Sequence, residues 1–293
     1  MLVAVRRGLA DVGLAEGRNV AIEYRFTDGR YDPLSAQLTD LTQRKVGVIV
    51  FIGAFTDELL QQVRTSPTPI VISTGFDPVG MGFVASMNRP GGNVTGVSSL
   101  VGELSGKQLG LLRDLVPKAV TIAALVDPSL PILGPIALRD VRDAAAALRQ
   151  KLLVLEASTA EEIDAQFASL DQKPADAMLV IVSPFFLTRA GQIAALAASH
   201  RVPVIYARRE FAEAGGPMSY GSSVAEQVRE MGRYAGRILN GEKPADLPVI
   251  QPTKYSLVIN LKAAKAINFE IPPLVRALAR PLSRPGTDVI CST

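Results

Sequence analysis

The sequence predicts an α/β protein built as two doubly wound lobes, and three observations carry that prediction. Short β-branched, apolar runs alternate with longer amphipathic stretches along the chain. Several runs, such as Val46-Gly47-Val48-Ile49-Val50-Phe51-Ile52 and Met178-Leu179-Val180-Ile181-Val182, are apolar almost throughout, as in strands buried on both faces of a parallel sheet. The alternation also falls into two sets, each with the four or five β-α units of one lobe, and a β-α-β-α succession implies right-handed crossovers.

Taken in order, the chain opens on a helix over residues 2–12, followed by a strand over 20–24 and a helix over 33–44. The run at 46–52 is the next strand, then a helix over 57–64, a strand over 69–73 and a strand over 94–97. Arg89-Pro90-Gly91-Gly92-Asn93 is a turn-rich break just before that strand, where the first set ends. The second set begins after a helix over 105–115. It alternates strands over 121–126, 152–156, 177–182 and 202–206 with helices over 135–148, 160–170 and 189–199. Thr159 followed by Glu162 resembles a capping box opening one of these helices. A last helix over 225–239 is closed by Asn240-Gly241, a helix stop.

Bulk properties set limits on function. The 293 residues exceed one compact core and suit two lobes, and 48% apolar with 20% charged residues is globular composition. The net charge of +3 is spread along the chain without a basic run, aromatic content is 5% and Trp is absent, so a nucleic-acid surface is not expected. One cysteine, Cys291, excludes an intramolecular disulfide, and one Cys with one His, His200, excludes the usual zinc sites. No apolar run reaches the 18 or more residues of a membrane span, and Met1-Leu2-Val3-Ala4-Val5-Arg6-Arg7 does not have the pattern of a signal peptide.

The search for catalytic chemistry finds none. Gly80-Met81-Gly82-Phe83-Val84-Ala85 matches the dinucleotide fingerprint literally, but Thr74-Gly75-Phe76-Asp77-Pro78-Val79 separates it from the preceding strand. It therefore reads as a glycine-loosened loop. There is no P-loop and no nucleophile elbow, and His200 lies at a helix C-terminus, where the dipole accounts for it. Glu161-Glu162 belong to a helix first turn. No acid, base and nucleophile assemble, so the protein is not expected to be an enzyme and no cofactor or metal is implied.

Strand ends instead carry groups suited to holding a ligand, and in wound sheets ligands sit beyond the carboxyl ends of the strands. These segments are Gly53-Ala54-Phe55-Thr56, Ser73-Thr74-Gly75-Phe76-Asp77, Asp127-Pro128-Ser129, Ser183-Pro184-Phe185-Phe186 and Tyr206-Ala207-Arg208-Arg209. Each is also ordinary loop chemistry. Their recurrence at carboxyl ends in both halves is the functional signal.

Longer motifs then become recognisable. They include Gly17-Arg18-Asn19-Val20-Ala21-Ile22-Glu23-Tyr24-Arg25, Gly29-Arg30-Tyr31-Asp32, Asp77-Pro78-Val79-Gly80-Met81-Gly82 and Arg89-Pro90-Gly91-Gly92-Asn93-Val94-Thr95-Gly96. Later come Arg209-Glu210-Phe211, Gly215-Gly216-Pro217-Met218-Ser219-Tyr220-Gly221, Lys243-Pro244-Ala245-Asp246-Leu247-Pro248-Val249, Gln251-Pro252-Thr253-Lys254 and Val258-Ile259-Asn260-Leu261-Lys262-Ala263-Ala264-Lys265. Over roughly residues 5 to 273 the chain resembles the ABC-transporter substrate-binding proteins of the tryptophan/tyrosine type.

The resemblance implies a type I periplasmic-binding-protein fold, with two Rossmann-like lobes joined by three crossover segments near 97–100, 219–222 and 251–255. The first lobe would comprise 1–97 with 222–250 and the second 98–221 with 251–275, leaving 276–293 as a divergent, disordered or frameshifted tail. It also implies a small-molecule ligand, an apolar or aromatic amino acid, in the cleft between lobes, hinge closure on binding, and delivery to ABC permease subunits by a monomeric, periplasmic or exported protein. On that footing Asp77 and Asp127 are candidate acceptors for the ligand ammonium. Thr56 and Ser129, with nearby amides, are candidates for its carboxylate. Phe185, Tyr206 and Tyr220 could enclose an apolar side chain, Arg208 would suit an acidic solute, and Phe55 and Ser183 complete the set.

Two departures from the family are expected to matter. Such proteins carry an export signal and a central first strand ahead of the helix at 2–12, so either the start is misplaced or trimmed, or the first sheet lacks its middle strand and exposes neighbouring edges. The tail is the second departure. The alternative reading is a cytoplasmic ligand-sensing domain on the same fold, which would call for a DNA-binding head; no helix-turn-helix precedes residue 17 or follows residue 273.

Overall fold

A computed structural model of the chain describes residues 1–27, 31–272, 280–281 and 289–292. In chain order the first elements are α1 (Leu2–Ala10), α2 (Leu34–Gln43), β1 (Ile49–Ile52), α3 (Asp57–Thr65), β2 (Ile70–Thr74), β3 (Val94–Ser98) and α4 (Val101–Leu115). Next come β4 (Thr121–Val126), α5 (Leu133–Ala147), β5 (Lys151–Glu156), α6 (Ala160–Ser169), β6 (Ala177–Val180), α7 (Pro184–Thr188) and α8 (Ala190–Ser199). The last are β7 (Val204–Tyr206), α9 (Arg209–Glu213), β8 (Met218–Ser222), α10 (Val224–Leu239), β9 (Tyr255–Asn260), α11 (Leu261–Ala266), β10 (Arg280–Pro281) and β11 (Val289–Ser292).

The chain forms two compact units. The first comprises Met1–Leu100, Pro131–Leu133 and Ser223–Thr253; the second comprises Val101–Leu130, Gly134–Ser222 and Lys254–Thr293.

The first unit is built on a parallel sheet in the order β1-β2-β3. Ile70, Val71 and Ile72 are fully buried, as an apolar run flanked on both sides by strands and covered by helices must be. Val71 and Val97 join Val228, Met231, Tyr234, Ala235 and Ile238 of α10 in one core, with Leu9 of α1 added from outside. α1 can reach that core only because small residues let two helix backbones meet. A Cβ on Gly8 would overlap the Arg229 carbonyl, and one on Gly232 would overlap the Val5 carbonyl. Arg229 then clamps the crossing with a two-point ion pair to Asp11 at 2.7 and 2.8 Å.

The second unit is an eight-stranded sheet in the order β10-β11-β9-β8-β7-β6-β4-β5. β5, β4, β6, β7 and β8 run parallel, while β9, β11 and β10 are added antiparallel. Ile122, Ala123, Ala124 and Leu125 of β4 are all fully buried, so both faces of this strand are covered. On one face Phe167, Phe186, Ile163 and Ile193 pack around Met178, Val204 and Tyr206 to form a dry core. The capping of α6 follows the sequence: the Thr159 hydroxyl accepts from Glu162 N–H at 3.2 Å. Glu162 reaches back one residue further than the cap, accepting from the Ser158 amide and hydroxyl at 2.6 and 2.8 Å.

One expectation needs correction. Residues 20–24 are not a strand; Val20 makes one isolated bridge, to Glu16, and 21–27 make no ladder. Alternation favours an extended backbone, but a strand also needs a partner backbone. This segment is instead held through side chains, by Tyr24 to Glu16, Arg25 to Asp40 and Arg44 to Glu23. Within the segments 219–222 and 251–255, Ser222 and Tyr255 end an antiparallel ladder between β8 and β9. In the tail, 289–292 extend the sheet along β9 and 280–281 pair with them. Its other residues from 276 on lie outside the described residues.

Candidate functional site

Each unit presents the carboxyl edge of its own sheet. In the first, β1 leads into Gly53-Ala54-Phe55-Thr56, where Thr56 is the N-cap of α3 and its hydroxyl accepts from Leu59 N–H at 3.2 Å. Phe55 is buried rather than open to solvent. Its ring lies 4.7, 5.6 and 5.2 Å from those of Phe51, Phe76 and Phe83, an apolar knot beneath the loop. After β2, Asp77 is exposed, and its two carboxylate oxygens accept from the amides of Val79 and Gly80 at 2.9 and 3.0 Å. The Gly80 amide is thus turned to a carboxylate of its own loop. The glycine motif builds a turn and not a phosphate cradle, as its distance from the strand implied.

The second unit gathers more of the candidates. Asp127, just past β4, is 2% exposed and fully engaged. One oxygen accepts from the Ser129 amide and hydroxyl at 3.0 and 2.6 Å, and the other from the Ser183 hydroxyl at 2.5 Å. Ser183, past β6, uses the same oxygen to accept from the amides of Phe185 and Phe186, capping α7. Asp127, Ser129, Ser183 and Phe185 therefore form one hydrogen-bonded assembly across adjacent strand ends. Ser129 is exposed and Phe185 half-buried, with Arg189 over its ring at 6.0 Å.

Next along this edge comes β7. Tyr206 is fully buried, stacked 4.5 Å from Phe211, with its hydroxyl unpartnered among the described residues. Burial pushes its phenol pKa up. Val204 and Tyr206, two apart, share the core-facing side of the strand, a signal the sequence already carried. Arg208 is partly exposed and forms a two-point ion pair with Glu210, Nη2 to Oε1 at 2.7 Å and Nε to Oε2 at 3.3 Å. Burial acts to raise the Glu210 carboxyl, but bonds from Arg208 and a backbone N–H, with the charge of Arg209, hold it below the usual carboxylate range. On β8, Tyr220 is half-buried and stacks 5.7 Å from Tyr255, over which Lys107 lies at 5.1 Å. Gln108 donates to the Tyr220 carbonyl at 2.8 Å. Glu210, Lys107, Gln108 and Tyr255 are the neighbours that sequence reasoning missed.

The arrangement offers hydroxyls, amides, carboxylates, a guanidinium and aromatic faces. His200 is the C-cap of α8, with Asp171 3.8 Å from its Nε2. Among the described residues no group of three or more His, Cys, Asp and Glu could hold a metal ion. The acidic groove between α2 and α3 has its Asp40 paired with Arg25 and its Glu58 bonded by Ser35.

Comparison with known proteins decides the class. Residues 3–281 match the family model described as ABC transporter substrate binding protein. The chain belongs to that family. Members of the ABC transporter substrate-binding family bind solutes and are not enzymes. The tyrosine-binding protein of Clostridioides difficile is 23% identical over 264 residues, covering 90% of this chain and 75% of that protein. Among solved structures, a conserved domain protein from Vibrio cholerae superposes with a TM-score of 0.81 at 24% identity, over 94% of this chain and 93% of the other. An ABC domain from Streptococcus pneumoniae in complex with L-Trp gives 0.78 at 23% identity, over 94% and 91%. The fold is that of the type I periplasmic binding proteins.

Proposed function

We propose that this substrate-binding protein captures a free amino acid with an apolar or aromatic side chain and delivers it to the permease of an ABC importer. The observation that carries the reading is the family match over residues 3–281. A relative named for tyrosine binding and a structural neighbour holding L-Trp favour this ligand class over sugars or peptides. The protein would act as a monomer in the periplasm or outside the cell, closing on its solute because the solute binds the closed state more tightly.

Burial supports a division of the candidate residues into two groups. Thr56, Asp77, Ser129, Phe185, Arg208 and Tyr220 retain exposed surface and would touch the solute. Phe55, Asp127, Ser183 and Tyr206 are buried and would act from behind, fixing the loops that the first group stands on. Asp77 and Ser129 hold exposed oxygens that could accept from an ammonium, while Phe185 and Tyr220 offer aromatic faces. A thermal-shift screen of the twenty amino acids tests the ligand class. Stabilisation by Tyr, Trp or another apolar amino acid is expected; a shift from a sugar or peptide with none from any amino acid would overturn it.

A further inference from the structure

The ion pair of Arg208 and Glu210 is local, like Arg209–Glu213, Arg233–Glu230 and Arg237–Glu242, and unlike the pairs that brace separate segments of the fold. Arg229–Asp11 and Arg25–Asp40 join residues 218 and 15 positions apart and so fasten separate segments. Glu210 lies only two residues beyond Arg208, so this pair fastens nothing that the backbone of α9 does not already hold. The guanidinium is the inner member, with 20% of its side chain exposed against 43% for the carboxylate. It follows the buried end of β7 at the carboxyl edge, where the neighbouring acid Asp127 is already engaged by two serines. A two-point guanidinium fork is the geometry that recognises any carboxylate, not one in particular.

We infer that Glu210 is an internal stand-in for the solute carboxylate. On binding, the carboxylate of the incoming amino acid takes the Arg208 fork and Glu210 turns out to solvent. Arg208 then selects solutes that carry a carboxylate, and Glu210 sets their affinity by competition, since every ligand must first displace it. This rests on the amino-acid reading above and adds a residue that tunes it.

Calorimetric titration of the full chain with L-tyrosine and L-tryptophan, and with tyramine and tryptamine that lack the carboxylate, tests the inference. Glu210→Gln should tighten both amino acids by about two- to five-fold, the scale of one exposed ion pair released, and should tighten neither amine. Arg208→Gln should weaken the amino acids by about ten-fold or more, the scale of a lost charge-assisted bond. Adding Glu210→Gln to Arg208→Gln should then change nothing further. Thermal melts check that each variant folds, and if Arg208→Gln does not, the Glu210→Gln comparison decides alone. If the amino acids bind the unaltered chain but Glu210→Gln leaves them unchanged or weaker, the stand-in is overturned while the receptor reading survives. If neither amino acid binds the unaltered chain, the receptor reading falls and takes the inference with it.

Discussion

The Ser183 hydroxyl donates to Asp127 at 2.5 Å, and this bond ties the loop after β6 to the loop after β4 across 56 residues of sequence. Both residues are 2% exposed, so the bond is shielded from water. The same Ser183 oxygen caps α7 and the same carboxylate orders Ser129, so the pair is a joint for a large part of the second unit's carboxyl edge.

Breaking that joint should therefore cost stability and order together. Asp127→Ala strands the buried Ser183 hydroxyl and releases Ser129, and should destabilise by roughly 2–4 kcal/mol; Ser183→Ala should cost about 1–3 kcal/mol. Urea titrations of the two single variants and the double should give a coupling energy of about 0.5 kcal/mol or more. Additive losses would mean that the two residues act separately.

The helix crossing in the first unit makes a contrast between glycines. Gly8→Ala or Gly232→Ala forces a Cβ into backbone and should destabilise by about 1–3 kcal/mol. Gly110, inside α4, has nothing within 4 Å of an added Cβ. Gly110→Ala should stabilise by up to about 1 kcal/mol. Thermal melts of the three variants would separate close packing from helix propensity.

Tyr206→Phe should leave the protein as stable or more stable, by up to about 1 kcal/mol, because it removes a buried hydroxyl that has no partner among the described residues. It should also leave solute affinity unchanged, since the ring faces the core. A loss of affinity without a loss of stability would place Tyr206 at the solute.

How much of this could be read from the sequence varied with the kind of signal. β4 and β6 are evident because they are apolar at every position but Thr121, and the long helices because they are amphipathic over several turns. α7 and α9 have five residues each, too few for a period to show. Residues 20–24 had the alternation of a strand but no partner backbone. At the site, Asp127 was legible as an acid at a strand end, whereas its engagement by Ser183 is a tertiary contact. Glu210 was overlooked because a residue two positions from Arg208 in a helical turn looks like ordinary surface charge.

Acid should weaken the first unit through Asp11. The hydrogen bond from Arg229 holds its carboxyl below the ordinary 3.8 despite some opposing desolvation. A depressed carboxyl contributes stability above its unfolded value and loses it as the pH falls through the lower folded value. Asp11→Asn should thus lower the melting temperature at pH 7, and the difference from the unaltered chain should shrink below about pH 4. A difference that is constant with pH would assign the effect to packing.

The central claim, that this member of the family receives a free apolar or aromatic amino acid, is tested most directly by calorimetric titration of the unaltered chain with L-tyrosine and L-tryptophan. The account predicts saturable, one-to-one binding of at least one of them with a Kd on the order of micromolar or tighter. No binding of either, with saturable binding of a sugar or peptide under the same conditions, would contradict it.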